Sequence, residues 1–141
     1  MAFSAARNLR GTSPDTLKCS ADVAANRAVK LGTRDTTTGE FTVAPCTAIT
    51  DICIGTSMNS GESADGDRVT IQTGGIALLV ASGPVSEGAE VMVTAAGAGK
   101  VSTAAGATAR SVGVALTAAG ADGEVIAVLL NVPNVKGMAN A

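Results

Sequence analysis

The sequence contains no histidine, tryptophan or tyrosine, and its aromatic content is two phenylalanines, Phe3 and Phe41. Each absence removes a chemistry. Without imidazole there is no Ser-His or Cys-His nucleophile pair, no histidine general base and no histidine-containing zinc site. Without a set of aromatic rings there is no platform on which bases or sugars could stack. Cysteine is scarce as well: Cys19, Cys46 and Cys53 make an odd number and lack C-x-x-C spacing. Nothing completes a zinc tetrad, so they read as reduced thiols used as small apolar residues in a protein made in a reducing cytosol. Long apolar runs are also missing. The longest, "IALLVA" and "VIAVLL", have six residues each, too short for a membrane span, and "MAFSAARNLRG" at the start lacks the apolar stretch of an export signal.

What is present is mostly alanine, glycine, valine and threonine in 141 residues, a length that suits one domain. The core must then be filled by small aliphatic side chains, each contributing on the order of 25 cal/mol per Å² removed from water. A core this lean gains from association between subunits. The net charge of −2 is unevenly spread: residues 1–34 carry six basic side chains (Arg7, Arg10, Lys18, Arg27, Lys30, Arg34) against two acidic ones, and the remainder carries four against ten. A basic front on an acidic body is too sparse a pattern for nucleic acid, whose phosphates the body would repel. It suits either a solvated arm or an arm docking on an acidic protein surface.

Short β-type runs recur along the chain: "RAVKL", "EFTVA", "DICIG", "DRVTIQT", "GIALLVAS", "AEVMVT", "GKVST", "RSVGVAL" and "EVIAVLLN". Several alternate with the period of a half-buried strand, as Val69 and Ile71 do against Arg68, Thr70 and Gln72. The connectors carry turn chemistry at Thr38-Gly39, Ala64-Asp65-Gly66, Gly83-Pro84, Gly97-Ala98-Gly99 and Ala121-Asp122-Gly123. The spacing predicts an all-β, compact barrel-like or sandwich domain joined by hairpins rather than by crossover helices. "SADVAANRAV" is the one short helix that alanine content predicts, with Ser20 as its cap, and the turn-rich "GTSPDT" before it reads as the end of a loosely attached arm.

"GAGKVS" at 97–102 suggests a phosphate loop and fails the test. The pattern needs glycine, four residues, Gly-Lys, then Ser or Thr, so that backbone N–H groups wrap the phosphates. Here Thr94 stands at the first glycine and Val101 at the hydroxyl position. The glycines instead fit a hairpin turn between "EVMVT" and "KVSTA", with Lys100 where the chain re-enters the sheet.

An internal repeat explains more of the chain. "IGTSMNSGESADGDRVTI" at 54–71 aligns with "VGVALTAAGADGEVIAV" at 112–128, each reading aliphatic-Gly, a small-residue connector, Ala-Asp-Gly-acidic, then a strand. Upstream, "RAVKL" through "EFTVA" takes the place of "AEVMV" through "KVSTA". Two copies make a pseudo-symmetric β-domain rather than a solenoid. The organisation expected is an N-terminal arm over 1–26, extended or partly disordered, a β-domain over 27–132 with repeats at about 27–75 and 89–131, and a tail over 133–141.

The ordered elements Ile54-Gly55, Asp65-Gly66-Asp67, Gly88-Ala89-Glu90-Val91, Val112-Gly113-Val114-Ala115-Leu116 and Val125 to Leu130 resemble those of the capsid cement or decoration proteins of tailed bacteriophages, over about residues 27–131. The resemblance implies a β-barrel or tulip-like domain, commonly a homotrimer. Such a protein sits on the outer surface of the phage head, bridges major capsid protein subunits and stabilises the mature capsid, having been made in the host cytoplasm. It implies a virion protein without enzymatic activity, cofactor, metal, nucleic acid or membrane partner. The family has no fixed contact motif; the basic arm makes Arg7, Arg10 and Lys18 the candidate capsid contacts. Other classes remain open at this stage: a tail or fibre β-module, a lipoyl-type carrier with Lys100 at its hairpin, or a small enzyme using Asp65 with Asp67 and Asp122 with Glu124 as acid and base. Calcium binding by those two acidic loops would be short of oxygen ligands.

Overall fold

The computed structural model describes residues 15–58, 67–94, 99–104 and 110–132. Ten strands follow one another: β1 (Asp15–Cys19), β2 (Ala28–Leu31), β3 (Thr42–Pro45), β4 (Gly55–Ser57), β5 (Arg68–Gln72), β6 (Ile76–Val80), β7 (Glu90–Val93), β8 (Val101–Thr103), β9 (Ser111–Ala115) and β10 (Val125–Leu130). The first five close a barrel in the order β1-β3-β2-β4-β5, and the last five form a sheet in the order β6-β10-β9-β7-β8. The all-β expectation and the pair of pseudo-repeated units both hold.

The two halves have the same topology, each strand corresponding to the one five places later. Antiparallel pairs β2·β3, β2·β4, β4·β5 and β1·β5 match β7·β8, β7·β9, β9·β10 and β6·β10. The parallel pairing of β1 with β3, which closes the first barrel, has its counterpart in a single parallel bridge between Ala81 and Val101. Irregular hydrogen bonds repeat as well. Ser20 N donates to Val43 O at 2.9 Å and Ser82 N to Val101 O at 2.8 Å; Asn26 N donates to Ser57 O at 3.0 Å and Gly88 N to Ala115 O at 2.7 Å. Asn26 (φ 59°) and Gly88 (φ 83°) share the left-handed conformation that the turn before β2 and β7 requires.

Two expectations are corrected. "SADVAANRAV" is not a helix; among the described residues there is none. A window of that length gains little from helical hydrogen bonding, and tertiary partners outbid alanine's propensity. Val23 is fully buried, Ser57 Oγ donates to Ala24 O at 2.6 Å, and Val80 N donates to Asn26 O at 3.0 Å. Residues 15–26, assigned above to the arm, also supply β1, which closes the barrel between β3 and β5. "DICIG" becomes a strand only from Gly55 onward, because the Asp51 carboxylate accepts from Thr47 N (2.8 Å) and Ala48 N (3.0 Å) and shapes the preceding segment into a turn.

The interior is as lean as the composition requires. Cys19, Val23, Val29, Val43, Val69 and Ile71 fill the first barrel. A larger cluster fills the second unit and reaches across the seam to Ala28, Cys46 and Cys53 of the first. Gly99 stitches that seam: its N–H donates to Cys46 O at 2.7 Å and its carbonyl accepts from Ala28 N at 2.8 Å. Its φ of 83° is what the β7–β8 hairpin demands, and the N–H that a phosphate would need is already used. Gly97 and Ala98 of that turn, and Asp65-Gly66 of the other repeat, lie outside the described residues.

Candidate functional site

The densest polar cluster lies on the first barrel, where β1 and β5 meet the β2–β3 connection. Antiparallel register sets Lys18 opposite Arg68. The connection folds back on itself through Asp35 N to Glu40 O (3.0 Å) and Gly39 N to Asp35 O (2.8 Å), with Gly39 at φ 74°. Asp35 organises it as an Asx turn: Oδ1 accepts from Thr37 N at 2.8 Å and Thr38 N at 3.1 Å. Its other oxygen, Oδ2, meets Lys18 Nζ at 3.0 Å. Beside this pair, Arg68 Nη2 bonds Glu40 Oε1, and the Arg34 guanidinium stands 5.2 Å from the centroid of the half-exposed Phe41 ring.

The electrostatics follow from these contacts. The Lys18 ammonium, helped by the Thr38 and Thr37 N–H groups, holds the Asp35 carboxyl well below the usual carboxylate range. Hydrogen bonding from Arg68 likewise lowers Glu40, and Asp35 raises Lys18 above the ordinary lysine value. All these shifts favour the charged forms, the opposite of what a proton-transfer group at neutral pH needs. The cluster is therefore a charge-matched surface with one cation over a ring.

The remaining polar groups close turns. Burial works against ionisation of Asp51, yet the Thr47 N–H, Lys30 Nζ (2.9 Å) and the Ala48 N–H together lower it. Lys100 Nζ pairs with Asp122 Oδ1 at 3.0 Å, and the Glu124 carboxylate accepts from Gly120 N. Asp122 and Glu124, considered above as an acid and base, thus bind a lysine and a turn amide; Asp65 lies outside the described residues. The three cysteines are buried and none is in a disulfide. Cys53 beside it, together with burial, pushes the Cys46 thiol up, so it stays a neutral apolar group. Among the described residues no group of three or more His, Cys, Asp or Glu side chains could hold a metal ion.

Of the candidate contacts, Lys18 is at the cluster and already paired with Asp35, while Arg7 and Arg10 lie outside the described residues. Sequence reasoning missed Arg34, Phe41, Glu40 and Arg68. The Asp35-Thr-Thr-Thr-Gly39 run was a readable signal, since Asp followed by hydroxyl residues and glycine marks an Asx turn that would cluster its neighbours.

No curated protein matches the sequence. Among solved structures the fold is similar to that of the head fibre gp8.5 N base of bacteriophage phi29, with a TM-score of 0.66, 14% identity, and coverage of 84% of this chain and 92% of that one. At that identity the likeness speaks for the fold. A family model described as phage cement protein matches residues 10–130, from just ahead of β1 to the last residue of β10, so it spans both β-units, and the chain belongs to the phage cement protein family.

Proposed function

We propose that this phage structural protein binds the outer surface of the head, bridges neighbouring major capsid protein subunits and stabilises the mature shell, acting as a homotrimer without catalytic activity. The observation that carries the reading is the family match over residues 10–130, which includes both β-units. The site agrees with it: the polar groups of the described cluster are tied into ion pairs and turns, leaving surface complementarity as its means of action. Arg7 and Arg10 in the basic front supply long-range attraction to an acidic capsid face, and Lys18 with its neighbours supplies the short-range contact.

Titration of the full-length protein and of a form lacking residues 1–12 onto bare heads, at two salt concentrations, tests this reading. The deletion stops short of β1, whose loss would open the barrel. Full-length protein should bind and raise the temperature at which heads rupture, because a ligand specific to the assembled lattice stabilises it by mass action. The truncated form should bind more weakly and with a shallower salt dependence, since exposed ion pairs are screened within about 10 Å at 0.1 M salt. Failure of both forms to bind heads would overturn the proposal.

The fold likeness to a head fibre base favours a second reading, in which the chain is the base of a fibre. Labelling on virions separates the two: a cement protein covers the head lattice, whereas a fibre base marks only the fibre attachment points.

A further inference from the structure

The two units share topology but not surface. On β5 the outward positions are Arg68, Thr70 and Gln72; the corresponding positions of β10 are Val125, Ala127 and Leu129. Lys18 on β1 corresponds to Val80 on β6, as their pairing with Arg68 and Val125 shows. The outward face of the second unit continues in register across three strands. Ile76 pairs with Leu129 and Leu129 with Val114, while Leu78 pairs with Ala127, whose carbonyl accepts from Leu116 N. Ile76, Leu78, Val114, Leu116, Val125 and Leu129 are all exposed, Ile76 by 61%. The row ends at Glu90 on β7, opposite Val114, which gives the patch a charged border.

Resting on the homotrimer proposed above, we infer that this β6-β10-β9 face is its self-association surface: copies of the chain bring the same aliphatic patch together around a common symmetry axis. The six side chains expose roughly 500 Å², at the upper end for one patch on a monomer and over half of the about 800 Å² per partner that stable association buries. Ala127 and the Glu90 border extend it toward that figure. Its aliphatic positions carry no charge, so an ionic partner has nothing to pair with, whereas identical apolar patches can bury one another around a symmetry axis. Of the matching positions in the first unit, Arg68, Thr70 and Gln72 on β5 are polar and Met58, which matches Leu116, is apolar, so the continuous aliphatic row belongs to this face rather than to the fold.

The inference is tested on purified full-length protein without capsids, so its failure is separate from any failure to bind heads. Sedimentation over a roughly hundredfold concentration range should show an oligomer. The double variant Leu78→Lys/Leu129→Lys should sediment as a monomer while keeping its strand circular dichroism, and Thr70→Lys/Gln72→Lys at the matching face of the first unit should leave the oligomer intact. If the lysine pair fails to fold, Ile76→Ser/Val114→Thr should still raise the dissociation constant at least ~10-fold. A wild-type monomer throughout, or an oligomer that is unaffected by substitutions on this face, would overturn the inference.

Discussion

Gly113 and Val128 stand so close across the β9–β10 pair that a Cβ on the glycine would meet Val128 Cγ1 at 2.8 Å, besides colliding with the Leu129 carbonyl. Gly55 holds the same place in the first unit, where a Cβ would meet Gln72 O at 2.6 Å and Ile71 Cγ2 at 2.6 Å. The aliphatic-Gly step that repeats in the sequence is thus a steric requirement repeated in space: a strand crosses its neighbour so closely that only hydrogen fits on Cα.

Replacing either glycine by alanine should therefore be severe, costing about 3 kcal/mol or more, because the obstructing atoms include backbone and cannot swing away. Gly88→Ala is the contrast. Nothing lies within 4 Å of its would-be Cβ, so only the φ of 83° opposes alanine. Its cost should be about 1 kcal/mol. Urea unfolding of the three variants checks the order, which reverses if backbone conformation rather than close approach sets the requirement.

Much of this fold was readable because its determinants are local. Alternation marked β5, turn glycines at Gly39, Gly99 and Gly123 marked hairpins, and the repeat marked the two units. β1 and the segment after it were not readable in the same way. "DTLKC" alternates over only four residues, Thr16 to Cys19, too short a signal alone, and its strand state comes from edges of β3 and β5 that are distant in sequence. The site was half legible for a similar reason. Lys18 could be picked out as a basic residue, but its partners Asp35, Glu40 and Arg68 assemble only through the β1–β5 register and the fold-back of the 32–41 connection.

That cluster sets a pH dependence at both ends. Asp35 and Glu40 have folded pKa values below their unfolded ones, so their contribution is present above about pH 4 and is lost as the pH falls through the lowered values. Lys18 is raised, so its contribution is present below about pH 10 and lost above it. Asp35→Asn should lower stability at neutral pH by a small, salt-sensitive amount, and the difference from wild type should shrink progressively as the pH falls below about 4. Urea midpoints measured from neutral to acid pH read this directly; a difference that persists undiminished in acid would mean that the Asx turn, not the charge, is what Asp35 contributes.

Cys19, Cys46 and Cys53 are all buried. In the native protein they should resist alkylation at neutral pH and react only on unfolding, since a buried sulfur is out of the reagent's reach. Replacing each by alanine should cost about 1–3 kcal/mol from lost packing. Mass spectrometry after iodoacetamide treatment, with and without denaturant, counts the protected thiols, and rapid labelling of native protein would contradict this burial.

Gly99 and Lys100 offer the sharpest separation of a structural loop from a phosphate loop. The Gly99 amide is held by Cys46 O and its carbonyl by Ala28 N, while Lys100 is held by Asp122. Mg-ATP should therefore produce no shift in the melting temperature. Lys100→Gln should change stability by less than about 1 kcal/mol, as an exposed ion pair does. Gly99→Ala meets two obstacles, a φ of 83° and an Ala28 oxygen 2.6 Å from the new Cβ, and should cost roughly 2–4 kcal/mol. Because the same residue stitches the seam beside Cys46, that variant should also expose the Cys46 thiol to alkylation at denaturant concentrations that leave the strand signal intact, a local opening ahead of global unfolding. Thermal stabilisation by Mg-ATP that Lys100→Gln abolishes would instead restore the phosphate-loop reading, and concurrent loss of strand signal and thiol protection in Gly99→Ala would show that the two units unfold as one.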